Sequence, residues 1–91
     1  ASAYSLLGLI YLQKGELLRA KGLFSQAVQL EQKNDRLNAA ATDYANIALI
    51  EAKRGQKELA RKNLQTAIEC AGFCEDDGLR KLLQAELRKY D

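Results

Sequence analysis

Shifting the sequence by 40 residues lays it over itself. Tyr4 falls on Tyr44, Leu7 on Ile47, Gly8 on Ala48 and Gly15 on Gly55. Ala20 falls on Ala60, Phe24 on Leu64, Ala27 on Ala67 and Val28 on Ile68. Large meets large and small meets small, so a packing pattern repeats as well as a set of identities. Internal repetition at this period marks a supersecondary unit that stacks on copies of itself.

The unit reads as a helical hairpin. Tyr4, Leu7, Gly8 and Tyr11 recur at spacings that place them on one face of a helix. Gly15 ends that helix, because glycine adopts the left-handed conformation a helix terminus favours. Leu17, Ala20, Phe24, Ala27 and Val28 form one stripe of a second helix. A glycine inside a helix costs about 1 kcal/mol relative to alanine. Gly8 is therefore expected where a facing helix approaches closely, with Tyr11 and Phe24 filling the space around it. Composition agrees: proline is absent, 47% of residues are hydrophobic and good helix formers dominate.

The expected fold is all-α. Five helices are predicted: Ala1 to Lys14, Leu17 to Gln32, Arg36 to Arg54, Lys57 to Ala71 and Asp77 to Tyr90, with the stretch GFCEDDG as a loop. One domain spans 1–91, with a first repeat at about 1–34, a second at about 35–73 and a capping helix at about 77–90. The fifth helix carries Leu79, Leu82, Leu83 and Glu86 at the spacing of Tyr44, Ile47, Ala48 and Glu51, and Arg80, Lys81, Arg88 and Lys89 on its other face. It reads as an amphipathic cap.

Tyr4, Leu7-Gly8, Tyr11, Ala20, Phe24 and Ala27, echoed by Tyr44, Ile47-Ala48, Ala60, Leu64 and Ala67, resemble the signature of the tetratricopeptide repeat (TPR) family. The resemblance covers about three quarters of the chain and implies an α-α superhelix of two TPR-like hairpins. Glu51 departs from the pattern where the first copy has Tyr11, and Gln32 and Gly72 stand in place of the family's terminal proline. The period of 40 exceeds the common family repeat of about 34 residues and matches a longer variant. The surplus is expected to lengthen the third helix at its start, capped by Asn34 or Asp35.

Several function classes find no support. Fourteen basic residues against twelve acidic give a net charge of +2, too near neutral to imply nucleic acid or an anionic membrane. No apolar run approaches a membrane span and no signal peptide is visible, so the expected setting is cytoplasmic. There is no histidine, no phosphate-cradling glycine loop and no nucleophile motif, so the chain reads as a non-enzyme needing no cofactor. Cys70 and Cys74 complete no metal site, and Cys70 matches Leu30 as a core residue. Asp76 and Asp77 suit the start of the fifth helix.

The resemblance implies a scaffold or adaptor that binds a peptide or partner helix along the concave face formed by the first helix of each hairpin. The corresponding stripe is Ser2, Ser5, Leu9, Leu12 and Gln13, then Thr42, Ala45, Leu49, Ala52 and Lys53, with Asn46 alongside. It is mainly apolar and small, which suits a hydrophobic side chain or an amphipathic helix. It lacks the Lys, Arg and Asn set with which some family members clamp a C-terminal carboxylate. The first helix carries more apolar surface than one partner can cover. Ala3, Leu6 and Ile10 form a flank expected to meet preceding repeats of a longer chain or a second copy in a homo-oligomer. A third candidate is the basic stretch Lys53, Arg54, Lys57, Arg61 and Lys62, which would face an acidic partner or RNA. No aromatic residues interleave to stack on bases, which disfavours RNA.

Overall fold

Four turns of one design divide the chain at equal intervals. A computed structural model describes residues 2–90. Gly15 and Gly55 take φ of 81° and 79°, and Asp35 and Glu75 each take 57°, so a left-handed residue recurs every 20 positions. The amide following each of them reaches five residues back: Glu16 to Tyr11, Arg36 to Glu31, Gln56 to Glu51 and Asp76 to Ala71. The left-handed residue itself bonds three back, as Gly15 does to Leu12 and Gly55 to Ala52. This pair of bonds is the Schellman ending, which satisfies carbonyls a helix end leaves open.

Between these turns lie α1 (Ala3–Gln13), α2 (Leu17–Lys33), α3 (Leu37–Lys53), α4 (Lys57–Phe73) and α5 (Asp77–Arg88). The protein is all-α, with adjacent helices packed against each other as helical hairpins. Principal contacts run α1 to α2, α2 to α3, α3 to α4 and α4 to α5, following the order of the chain. No described helix is long and apolar enough to cross a membrane.

Several boundaries differ from expectation. The expected start of the first helix at Ala1 lies outside the described residues, as does Asp91. The surplus over a shorter repeat does not collect in α3: α2, α3 and α4 each have 17 residues. Neither Asn34 nor Asp35 caps α3. The Asn34 amide donates back to the Leu30 carbonyl at 2.9 Å, Asp35 is the left-handed turn residue, and Arg36 opens α3 without a side-chain cap. The loop expected at GFCEDDG shrinks to Cys74, Glu75 and Asp76, because α4 runs on through Gly72 and Phe73 and α5 begins at Asp77. Asp76 does cap α5, accepting the Leu79 amide at 3.1 Å, and Asp77 pairs with Arg80 at 3.0 Å.

Two apolar clusters hold the helices together. Ala20, Phe24 and Val28 of α2 pack with Ile47 and Ile50 of α3, with Tyr11, Leu12, Leu17 and Tyr44 at the edge. Ala41 and Ala48 of α3 pack with Ala60, Leu64, Ala67, Cys70 and Ala71 of α4 and Leu83 of α5. Gly8 belongs where the sequence puts it: a Cβ on this residue would stand 2.9 Å from Phe24 Cε1, inside contact distance. The helix-propensity cost of the glycine is the condition for seating the ring.

The packed face of α1 is narrower than its sequence suggests. Ser5 and Gly8 are buried, whereas Tyr4 and Leu7 remain 39% and 45% exposed. The internal repeat explains why. Ile47 and Ile50 of α3, which match Leu7 and Ile10, are covered by α2, and in α1 the same stripe has no described helix over it. In α5, Leu83 is buried and Leu79, Leu87 and Tyr90 pack beside it, while Leu82 is 69% exposed. Leu82 therefore does not belong to the packed stripe. The common turn sets the register at 40, so Leu83, Leu87 and Tyr90 take the places of Asp43, Ile47 and Ile50.

Candidate functional site

The odd-numbered helices share a grooved face. One cleft, of about 390 Å³, lies between Ser5 and Leu9 of α1, Glu31 near the end of α2, the Asn38–Asn46 part of α3, and Asp76 and Leu79 at the start of α5. A second, of about 240 Å³, continues past Asn46 to Leu49 of α3 and to Glu86 and Tyr90. Leu9 and Leu49, at 41% and 40% exposure, stand along this face as half-open apolar surface.

The stripe expected to bind a partner divides into three groups. Leu9, Leu49, Thr42 and Asn46 line the clefts, and Gln13 and Lys53 are exposed. Leu12, Ala45 and Ala52 are half-buried and pack against the two apolar clusters, so much of their surface is already used, and Ala45 also lines the second cleft. Ser2 accepts the Ser5 amide at 3.2 Å as the cap of α1. Ser5 is itself buried, 4% exposed, and belongs to the interior wall rather than to the open surface.

That wall carries chemistry that the periodicity of the sequence did not reveal. The Ser5 hydroxyl donates to Asp43 Oδ2 at 2.6 Å and lies 3.5 Å from Glu31 Oε2. The Asn46 amide donates to the other Asp43 oxygen at 3.4 Å. Glu31 and Asp43 are each 3% exposed. Glu31 Oε1 has no hydrogen-bond partner among the described residues. Burial pushes the Glu31 carboxyl up to about 7, and the hydrogen bond and negative charge of Asp43 push in the same direction. Asp76 contributes a further carboxylate to the same cleft.

Comparison with family models, with curated proteins and with solved structures finds no match.

The other candidates are placed as follows. In the basic stretch, Arg54 is tied to the buried Glu51 at 2.9 Å. Arg61 pairs with Glu58 at 3.5 Å and donates to the Tyr90 carbonyl. Lys53, Lys57 and Lys62 are exposed. Glu51 also meets Lys21 of α2 at 3.4 Å, while its counterpart Tyr11 has Lys14 and Arg19 within 5.7 and 5.6 Å of its ring. An anion and an aromatic face thus do related work at matching sites, each meeting one cation from the end of its own helix and one from α2. Cys70 and Cys74 are both free; Cys70 is buried in the second cluster, and burial pushes its thiol above the usual range. Ala3, Leu6 and Ile10 of the α1 flank are exposed, Leu6 at 56% and Ile10 at 47%.

Proposed function

We propose that the chain is a TPR-like interaction module that docks a peptide or partner helix in the groove across α1, α3 and α5. One observation carries this reading. Two adjoining clefts share Asn46 and are flanked by Leu9 and Leu49, so polar anchoring and apolar burial are available side by side. The sequence resemblance assigns the same face to partners.

The test is a selection of random dodecapeptides displayed on phage, followed by affinity measurement on wild type and on Leu9→Arg with Leu49→Arg. Both leucines are substantially exposed, so the double variant should keep its helicity. Selected peptides should bind it at least about tenfold more weakly, the equivalent of losing one well-buried leucine contact. Peptides that bind both proteins equally would dismiss the groove.

A second reading rests on the α1 flank. Leu7 and Ile10 repeat the positions of Ile47 and Ile50, which α2 covers, so the flank has the form of a hairpin junction awaiting another helix. A second copy of the chain is the occupant this favours. Sedimentation should then show a concentration-dependent dimer that Leu6→Lys with Ile10→Lys converts to monomer. A wild-type chain that stays monomeric at high concentration rejects self-association.

A further inference from the structure

The two junctions between successive hairpin layers are chemically different. A shift of 40 carries Ser5 onto Ala45, Glu31 onto Ala71 and Asp43 onto Leu83. Ala71 and Leu83 are buried together, with Ala45 packed beside them. One junction is therefore closed by alkyl groups, and the other by a hydroxyl and two carboxyls. The architecture does not require the acids, and burying them without a cation is unfavourable.

We propose that the Glu31–Asp43–Ser5 cluster receives the cationic head of a lysine or arginine side chain from a peptide lying in the groove. The proposal names the chemistry of the partner and rests on the docking reading above. Glu31 lines the cleft, and its buried Oε1 accepts no hydrogen bond from the described residues. Asp43 is held by donors from Ser5 and Asn46, so its carboxylate is oriented in advance. No lysine or arginine side chain is among the described residues lining the cleft. Leu9, Ala39 and Leu79 supply apolar wall for the methylene stem that a basic side chain carries. An organic cation fits better than a metal ion, because the described residues form no metal-binding group of three or more His, Cys, Asp or Glu side chains. The groups facing Glu31 are Ser5 from α1 and Asp43 from α3, with Asp76 at the start of α5 in the same cleft. The charged side chains among these described residues are acidic, and a bound cation would displace the proton that Glu31 holds near neutral pH.

The test uses one alanine-based host peptide with a leucine on either side of a central arginine, lysine, citrulline or norleucine. Binding is followed by amide chemical shifts of the 15N-labelled chain at low salt. The arginine and lysine peptides should bind at least about tenfold more tightly than the two neutral ones, the scale of a charge-assisted hydrogen bond. They should move the resonances of Leu9, Asn46 and Leu79, and their affinity should rise from pH 6 to pH 8 as the Glu31 proton leaves. Glu31→Ala with Asp43→Leu copies the apolar junction and should erase the preference for charge, as should Glu31→Gln in part.

Equal affinity for all four peptides, or a preference that survives in the double variant, overturns the proposal. So does calcium chloride that shifts the same resonances and displaces the arginine peptide. If all four bind equally and Leu9→Arg with Leu49→Arg abolishes binding, the groove stands and the cation receptor falls. If the charged peptides keep their advantage in Leu49→Arg alone, which leaves the acidic cleft untouched, the receptor stands and the second cleft drops out of the groove reading.

Discussion

Phe24→Ala is expected to remove about 3–5 kcal/mol of stability, the range for truncating a fully buried aromatic residue. Phe24 has no exposed surface, and it anchors the first apolar cluster, where α2 meets α3. A domain of this size holds roughly 5–15 kcal/mol in all. The melting temperature should fall by about 15–30 °C, using the usual scaling for small domains. The geometry at Gly8 sharpens the test. In wild type, the β-carbon of Gly8→Ala would collide with the ring. Once the ring is gone, the same change fills part of the void and gains about 1 kcal/mol of helix propensity. Gly8→Ala should therefore be unfavourable or neutral alone and stabilising in the Phe24→Ala background. Denaturation of the four proteins measures this coupling. Additive effects would show that the two residues do not touch.

Stability should fall as pH rises from about 4.5 to about 7, through the titration of Glu31. Its carboxyl is pushed up to about 7 in the fold, chiefly by burial and then by Asp43, and returns to its ordinary value of 4.5 in the unfolded chain. Across that window the folded state keeps a proton that the unfolded state has released, so each step upward in pH favours unfolding. Glu31 is 3% exposed, so solvent does little to screen the effect. The full loss is on the order of 3 kcal/mol. Glu31→Gln, which resembles the protonated acid, should match wild type near pH 5 and exceed it near pH 7.5. Urea unfolding at a series of pH values measures the difference. Two profiles that run parallel throughout would mean that Glu31 does not carry the titration.

The hairpin architecture was legible because it is written in side-chain volume. Gly8 against Phe24, and Ala48 against Leu64, recur at a fixed interval of 40 residues. The turns were half legible. Gly15 and Gly55 announce themselves, but Asp35 and Glu75 occupy the same left-handed conformation without the residue that signals it. The 20-residue interval was hidden for that reason, and glycines at 72 and 78 drew the last loop too wide. Without that interval, the spacing of Leu79, Leu82, Leu83 and Glu86 points to a register that buries Leu82, which in the fold is exposed.

The candidate site divides along similar lines. Leu9 and Leu49 could be found because apolar residues away from a packed stripe are conspicuous. Glu31 and Asp43 could not, since a charged residue on a helix ordinarily means a wet surface. The signal lay in the repeat: Glu31 aligns with Ala71 and Asp43 with Leu83, both core positions in the second copy. Charge at a position whose twin is buried and apolar is a usable clue, provided the register is known first.

The order in which the helices touch also bears on how quickly the chain reaches its fold. Each makes its main contacts with the helices next to it in sequence, across turns of three residues. Few distant segments must find one another, so little entropy is lost before the first packing energy is gained. Such low contact order belongs to proteins that fold in microseconds to milliseconds. The most heavily packed pair, α3 with α4, is the natural place for that process to begin, with α1 and α5 joining from either side.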